Sequence, residues 1–103
     1  MHILKIKKLD NSFAKALGLL SAPKAYPVYF KTRFGIHTFL MRFPIDVLIL
    51  DANNIVVKMA ENLTPNKIFL WFPTADQVIE LPTGEIKRNK IKLGDKLTLQ
   101  FTF

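Results

Sequence analysis

Apolar residues in this chain recur with a period of two, in short runs that a proline, a glycine or a pair of asparagines cuts off. That spacing suits pleated strands, whose side chains alternate between two faces, and it leaves little room for helix. Over residues 2 to 9, Leu4 and Ile6 alternate with Lys5 and Lys7, the pattern of a strand with one buried face. Tyr26, Val28 and Phe30 alternate with Pro27, Tyr29 and Lys31, and the proline confines that segment to a strand start or a sheet edge. The stretch His37 to Phe43 alternates again, which predicts a strand with His37, Phe39, Met41 and Phe43 on one side and Pro44 at its end.

The run Asp46-Val47-Leu48-Ile49-Leu50-Asp51 does not alternate, and a continuous apolar run between carboxylates reads as a central strand covered on both faces. Asparagine tolerates positive φ, so Ala52-Asn53-Asn54 predicts a tight turn and Ile55 to Met59 the returning arm of a hairpin. Ile68 to Phe72, a further buried run between Pro65 and Pro73, and Gln77 to Leu81, alternating before Pro82-Thr83-Gly84, add two more strands. Ile86 and the basic residues after it suit one helical turn, and Gly94-Asp95 turns the chain into a last strand with Leu97, Leu99, Phe101 and Phe103 facing in. A longer helical pattern occurs once: Asp10, Asn11 and Ser12 offer caps, and Phe13, Ala16, Leu17 and Leu20 follow at helical spacing before Pro23.

These elements predict a mainly β (α+β) fold, a small, partly closed β-barrel-like domain of about eight short strands with one short helix near residues 11–20. A chain of 103 residues, half of them apolar, supplies one core, so residues 1–103 are expected to form a single domain. With no cysteine, disulfides, thiolate nucleophiles and thiolate metal sites are excluded. No apolar run approaches the ~20 residues of a membrane-spanning helix. Lysines interrupt the apolar residues of the first strand before a signal-peptide core could form, so a cytoplasmic location is expected.

Four ordered motifs resemble the domain-of-unknown-function family 192. They are Gly18-Leu19-Leu20, the central segment from His37-Thr38-Phe39-Leu40-Met41-Arg42-Phe43-Pro44 through Ile45 to Asp51, Glu80-Leu81-Pro82-Thr83-Gly84, and Ile91-Lys92-Leu93-Gly94-Asp95. The resemblance covers nearly the whole chain. Leu40 departs from it, standing where the family typically has a small residue. The resemblance implies a small β-rich fold and supplies no reaction.

Four polar residues border apolar strands, His37, Asp46, Asp51 and Glu80, and of these His37, Asp46 and Glu80 form the candidate site together with Arg42. Gathered at one rim of a barrel, they would make a noncatalytic binding site for a small anionic or peptide-like ligand, with Arg42 gripping an anion. The same His37 with Asp46 or Glu80 is the acid–base pair of an alternative, enzymatic reading. The structural alternative is that the carboxylates accept hydrogen bonds from turn backbone or pair with Arg42. No catalytic residue is assigned, because nucleophile-elbow, phosphate-loop and zinc-protease patterns are all absent. Neither a cofactor nor a metal is expected, since His37 and His2 are the only histidines.

Fifteen Lys and Arg against eight Asp and Glu leave a net charge of +7, which favours anionic partners. Lys5, Lys7, Lys87, Arg88, Lys90 and Lys92 could form one basic stripe for nucleic acid, or a solvated surface that guards an edge strand. Trp71 needs a partner for its indole N–H, and an apolar patch around it with Leu70, Phe72 and Pro73 would suit a dimer or protein partner.

Overall fold

The computed structural model describes residues 2–8, 26–39 and 41–102. Its elements in chain order are β1 (His2–Lys8), β2 (Val28–Lys31), β3 (Gly35–His37), β4 (Ile45–Leu50), β5 (Val56–Leu63), β6 (Ile68–Leu70), β7 (Gln77–Pro82), α1 (Glu85–Arg88) and β8 (Leu97–Thr102). The mainly β class and the strand count agree with the sequence reading; the helix expected near residues 11–20 lies outside the described residues, as does Phe103.

Six strands form one sheet in the order β5-β4-β7-β2-β1-β8, and β3 pairs with β6 in a second, two-stranded sheet. Every pairing is antiparallel except those of β1, which runs parallel to both β2 and β8. The large sheet curls into a half-barrel. Residues ahead of β8 return to the start of β5, where Ile55 bridges Lys96, Val56 N–H donates to Asp95 O at 2.9 Å and Leu97 N–H to Asn54 O at 2.9 Å.

Each face of the large sheet buries its own apolar cluster. Alternation puts Leu4, Ile6, Tyr29, Leu48, Leu50, Ile79 and Leu81 on the first face, closed by Ile86 and Ile91 from and after α1. Val28, Phe30, Ile45, Val47, Ile49 and Val78 lie on the second, covered by Trp71, Ala75, Ile36 and Phe69 from the small sheet and its flanks. Strand β4 is buried at every position, as a strand between two layers must be, which explains why its sequence does not alternate. Asn54, at φ 63°, closes the β4–β5 hairpin. Pro27 sits just ahead of β2, a strand start in a central position.

Two inward-facing runs are corrected. The strand expected over residues 37–43 stops at His37, because Thr38 turns the chain. Fully buried, its hydroxyl donates to Thr64 O at 2.7 Å and accepts from Lys67 N–H at 2.9 Å, while its carbonyl accepts from Met41 N–H and Asn66 N–H. His37, Phe39, Met41 and Phe43 therefore share no face: the first two stack on each other at the surface with centroids 4.9 Å apart, and the last two pack against the second cluster. Along residues 68–72, expected to be buried, Phe69 and Trp71 pack into the second cluster but Ile68, Leu70 and Phe72 are exposed. In β8, Leu97 is buried, Leu99 packs against the first cluster and Phe101 lies edge-on to Tyr29, so these three face in as expected.

Candidate functional site

Pairing register decides which polar residues meet. Asp46 lies opposite Leu81, and Glu80 opposite Val47 and Val28; opposed residues share a face. Asp46 therefore faces the first cluster and Glu80 the second, on opposite sides of the sheet. The expected convergence of His37, Arg42, Asp46 and Glu80 at one rim does not occur for the two carboxylates, because their strands pair with an offset of one residue.

Asp46 is fully buried, and its oxygens are committed to the chain's own backbone. Oδ2 accepts from Gly84 N–H at 3.0 Å and Ile86 N–H at 2.9 Å, so a strand carboxylate caps α1 where Gly84 itself offers no capping side chain. Oδ1 accepts from Asn62 N–H at 2.8 Å. That donor lies in the bulge where the β4–β5 register slips between Ile45 and Val47, so the carboxylate satisfies an N–H the ladder leaves unpaired. A small hollow of about 240 Å³ opens above it, between Thr83, Asn62 and Lys87. Thr83 Oγ1–H donates to Asn62 Oδ1 across that hollow.

Glu80 is 8% exposed, set between Val28 and Val47, and no hydrogen-bond partner for its carboxyl is found among the described residues. Burial pushes its pKa up to about 7. His37 and Arg42 are exposed at the end of β3 and in the bend after it; His37 Nδ1 accepts from Phe39 N–H at 3.3 Å. The basic residues separate as well. Lys5 and Lys7 point away from the first cluster, since Leu4 and Ile6 point into it, whereas the segment of Lys87, Arg88, Lys90 and Lys92 packs on that cluster through Ile86 and Ile91. They line no single stripe, and Arg88 pairs with Glu85.

A larger concavity lies elsewhere. A cleft of about 730 Å³ runs between the start of β5 and the end of β6, with Trp71 and Ala75 beneath it and Val57, Leu70 and Phe72 around it. Trp71 is buried with its indole N–H donated to Ala75 O at 2.8 Å, so the ring is a fixed floor. Two charged residues line the cleft, Lys58 and Asp51. The Lys58 ammonium donates to Leu70 O and lies 5.0 Å from the Phe69 ring centroid, leaving donors to spare. Asp51 uses Oδ1 to accept from Asn53 N–H and Ile55 N–H. Of this cleft, the sequence signal was the Trp71 neighbourhood and the carboxylate ending β4; Val57 and Lys58 came with the fold.

A buried polar chain behind the cleft gave no sequence signal. Tyr29 O–H donates to Gln77 Oε1 at 2.6 Å, and Gln77 Nε2 donates to Asp51 O at 2.6 Å and Asn54 Oδ1 at 2.8 Å. Burial raises the Tyr29 pKa, with the Asp76 charge adding to it. This chain ties β2 and β7 to the hairpin that carries Asp51.

Among the described residues, no helix is long and apolar enough to cross a membrane, and no cluster of His, Asp and Glu could hold a metal ion. The model of the family DUF192, Uncharacterized ACR, COG1430, matches residues 2–99. A UPF0127 protein of Pyrococcus abyssi is 34% identical over 99 residues, covering 90% of this chain and 84% of its own. Two crystal structures share the fold at 20% identity, each over 88% of this chain. One is a protein of unknown function from Novosphingobium aromaticivorans, with TM-score 0.74 over 70% of its length. The other, from Sinorhizobium meliloti and named as a candidate transcription regulator, has TM-score 0.77 over 78% of its length.

Proposed function

The chain belongs to the DUF192 family, and from that premise we propose that it is a noncatalytic binding domain that takes a peptide-like ligand bearing a large apolar side chain. The observation that carries this reading is the cleft over Trp71. Its volume of about 730 Å³ falls in the range of small-molecule sites, and its walls are mainly apolar with few polar groups at the mouth, as such sites are built. The apolar side chain rests on Trp71 and Ala75. Lys58 receives a carbonyl or carboxylate oxygen, and Asp51 receives an N–H or ammonium.

The polar residues singled out in the sequence fit this reading as support rather than contact. Asp46 holds α1 and the β5 bulge, Glu80 sits on the far side of the sheet from it, and His37 is exposed at the end of β3. A nucleic-acid interface has less to stand on, because the lysines of β1 and those around α1 face opposite sides.

The test is a thermal-shift series with Leu-Phe and Gly-Phe dipeptides, nucleotides, small anions and an oligonucleotide. Binding to the folded state raises the melting temperature by mass action, by about 7 °C at tenfold excess over Kd for a domain of this size. Leu-Phe is expected to give that rise in the natural protein and none in Val57→Trp, which fills the cleft with a residue suited to its strand. A rise with oligonucleotide alone, or a dipeptide rise that survives Val57→Trp, contradicts the proposal.

A further inference from the structure

The two faces of the β3–β6 sheet differ in character. Phe69 and Trp71 point into the second cluster, so alternation turns Ile68, Leu70 and Phe72 outward. Ile68 is 64% exposed and Phe72 84%. Register places Gly35 beside Leu70 and His37 beside Ile68. A Cβ on Gly35 would stand 2.5 Å from Leu70 Cδ2, so the leucine lies across the glycine and the outer face is continuous. Phe39 extends it by stacking on His37. At the other end Phe34, 63% exposed, is held at φ 75°, a backbone angle that aromatic residues rarely adopt.

The charges around this face are mainly cations, with Asp51 beside Leu70 and Phe72 in the adjoining cleft. Residues 31–43 and 64–75, which build the sheet and its flanks, contain Lys31, Arg33, Arg42 and Lys67 and no Asp or Glu. Isolated exposed apolar residues are ordinary, but a continuous apolar face with an excess of cations around it calls for an apolar partner with anions at its edge. A second copy of this chain would bring the same cations against them. Nucleic acid would satisfy the cations, yet it offers nothing for Ile68 and Leu70, which cannot stack as rings do.

We infer that the outer face of the β3–β6 sheet docks on an anionic lipid bilayer. Phe34, Ile68, Leu70 and Phe72 enter the boundary between headgroups and acyl chains, and Arg33, Lys67 and their neighbours sit at headgroup depth. Leu70 and Phe72 also line the dipeptide cleft, whereas Phe34 and Ile68 do not, so substitutions at those two residues test the inference separately from the cleft.

Sedimentation with vesicles tests it, using phosphatidylcholine alone and phosphatidylcholine mixed equally with phosphatidylglycerol. The protein is expected to sediment with the mixed vesicles at low salt and not with the neutral ones, and high salt should release it. Phe34→Gly combined with Ile68→Ser should weaken partitioning at least about tenfold, since two large side chains leave the lipid. Phe34→Gly alone should weaken it without lowering the melting temperature, because glycine suits a positive φ; lost binding is then not lost folding. Three results overturn the inference: no binding to mixed vesicles, binding that the double variant retains but Lys87→Glu with Lys90→Glu abolishes, or a solution dimer that the double variant dissociates.

Discussion

At Glu80, burial changes the chemistry of a side chain more than at any other described carboxyl. In the unfolded chain it titrates near its ordinary 4.5, and in the fold near 7. Below about pH 4.5 it is protonated in both states and burial costs nothing extra. As pH rises toward 7 and beyond, only the folded state resists ionisation, so stability falls through this window and levels above it. A gap of that size corresponds to roughly 3 kcal/mol at most. Glu80→Gln should flatten the dependence: urea unfolding should show the variant more stable than the natural protein by about 2 kcal/mol at pH 8 and close to equal at pH 4.5. Parallel losses in both proteins would place the titrating group elsewhere. Glu80 was legible in the sequence as a carboxylate bordering apolar residues. Its separation from Asp46 was not, because that depends on a one-residue offset between strands far apart in the chain.

Elements were the most legible level, and their failures have local causes. Period-two runs ended by Pro, Gly or Asn marked β1, β2, β5, β7 and β8, and the unbroken run of β4 announced a strand covered on both sides. Thr38 defeated the pattern after His37, since a buried hydroxyl that satisfies a turn thirty residues on leaves no trace in periodicity. Asp46 is the counterpart between elements, joining β4 to α1 and to the bulge of β5. Asp46→Ala leaves two helix N–H groups and one bulge N–H without acceptors and should cost about 3 kcal/mol. Hydrogen exchange should show the Gly84, Ile86 and Asn62 amides losing protection before those of β7. Unchanged stability, with those amides still protected, would refute the clamp.

For the whole molecule, sequence reasoning reached the class and stopped at the topology. Nothing in the composition says that β1 runs parallel between β2 and β8, and that arrangement sends Lys5 and Lys7 to one side of the sheet and the α1 lysines to the other. The same curl brings β5 alongside β6, a strand of the other sheet, and opens the cleft over Trp71 between them. The proposed binding site therefore lies where two sheets meet, away from the polar residues that border β4 and β7. Amide shift mapping by ¹⁵N NMR during titration with Leu-Phe examines that placement directly. Shifts are expected at Val57, Lys58, Leu70, Phe72 and Thr74, with the Trp71 indole N–H among the largest. Shifts confined to Asn62, Thr83 and Lys87 around the Asp46 hollow, or none at saturating dipeptide, would contradict it.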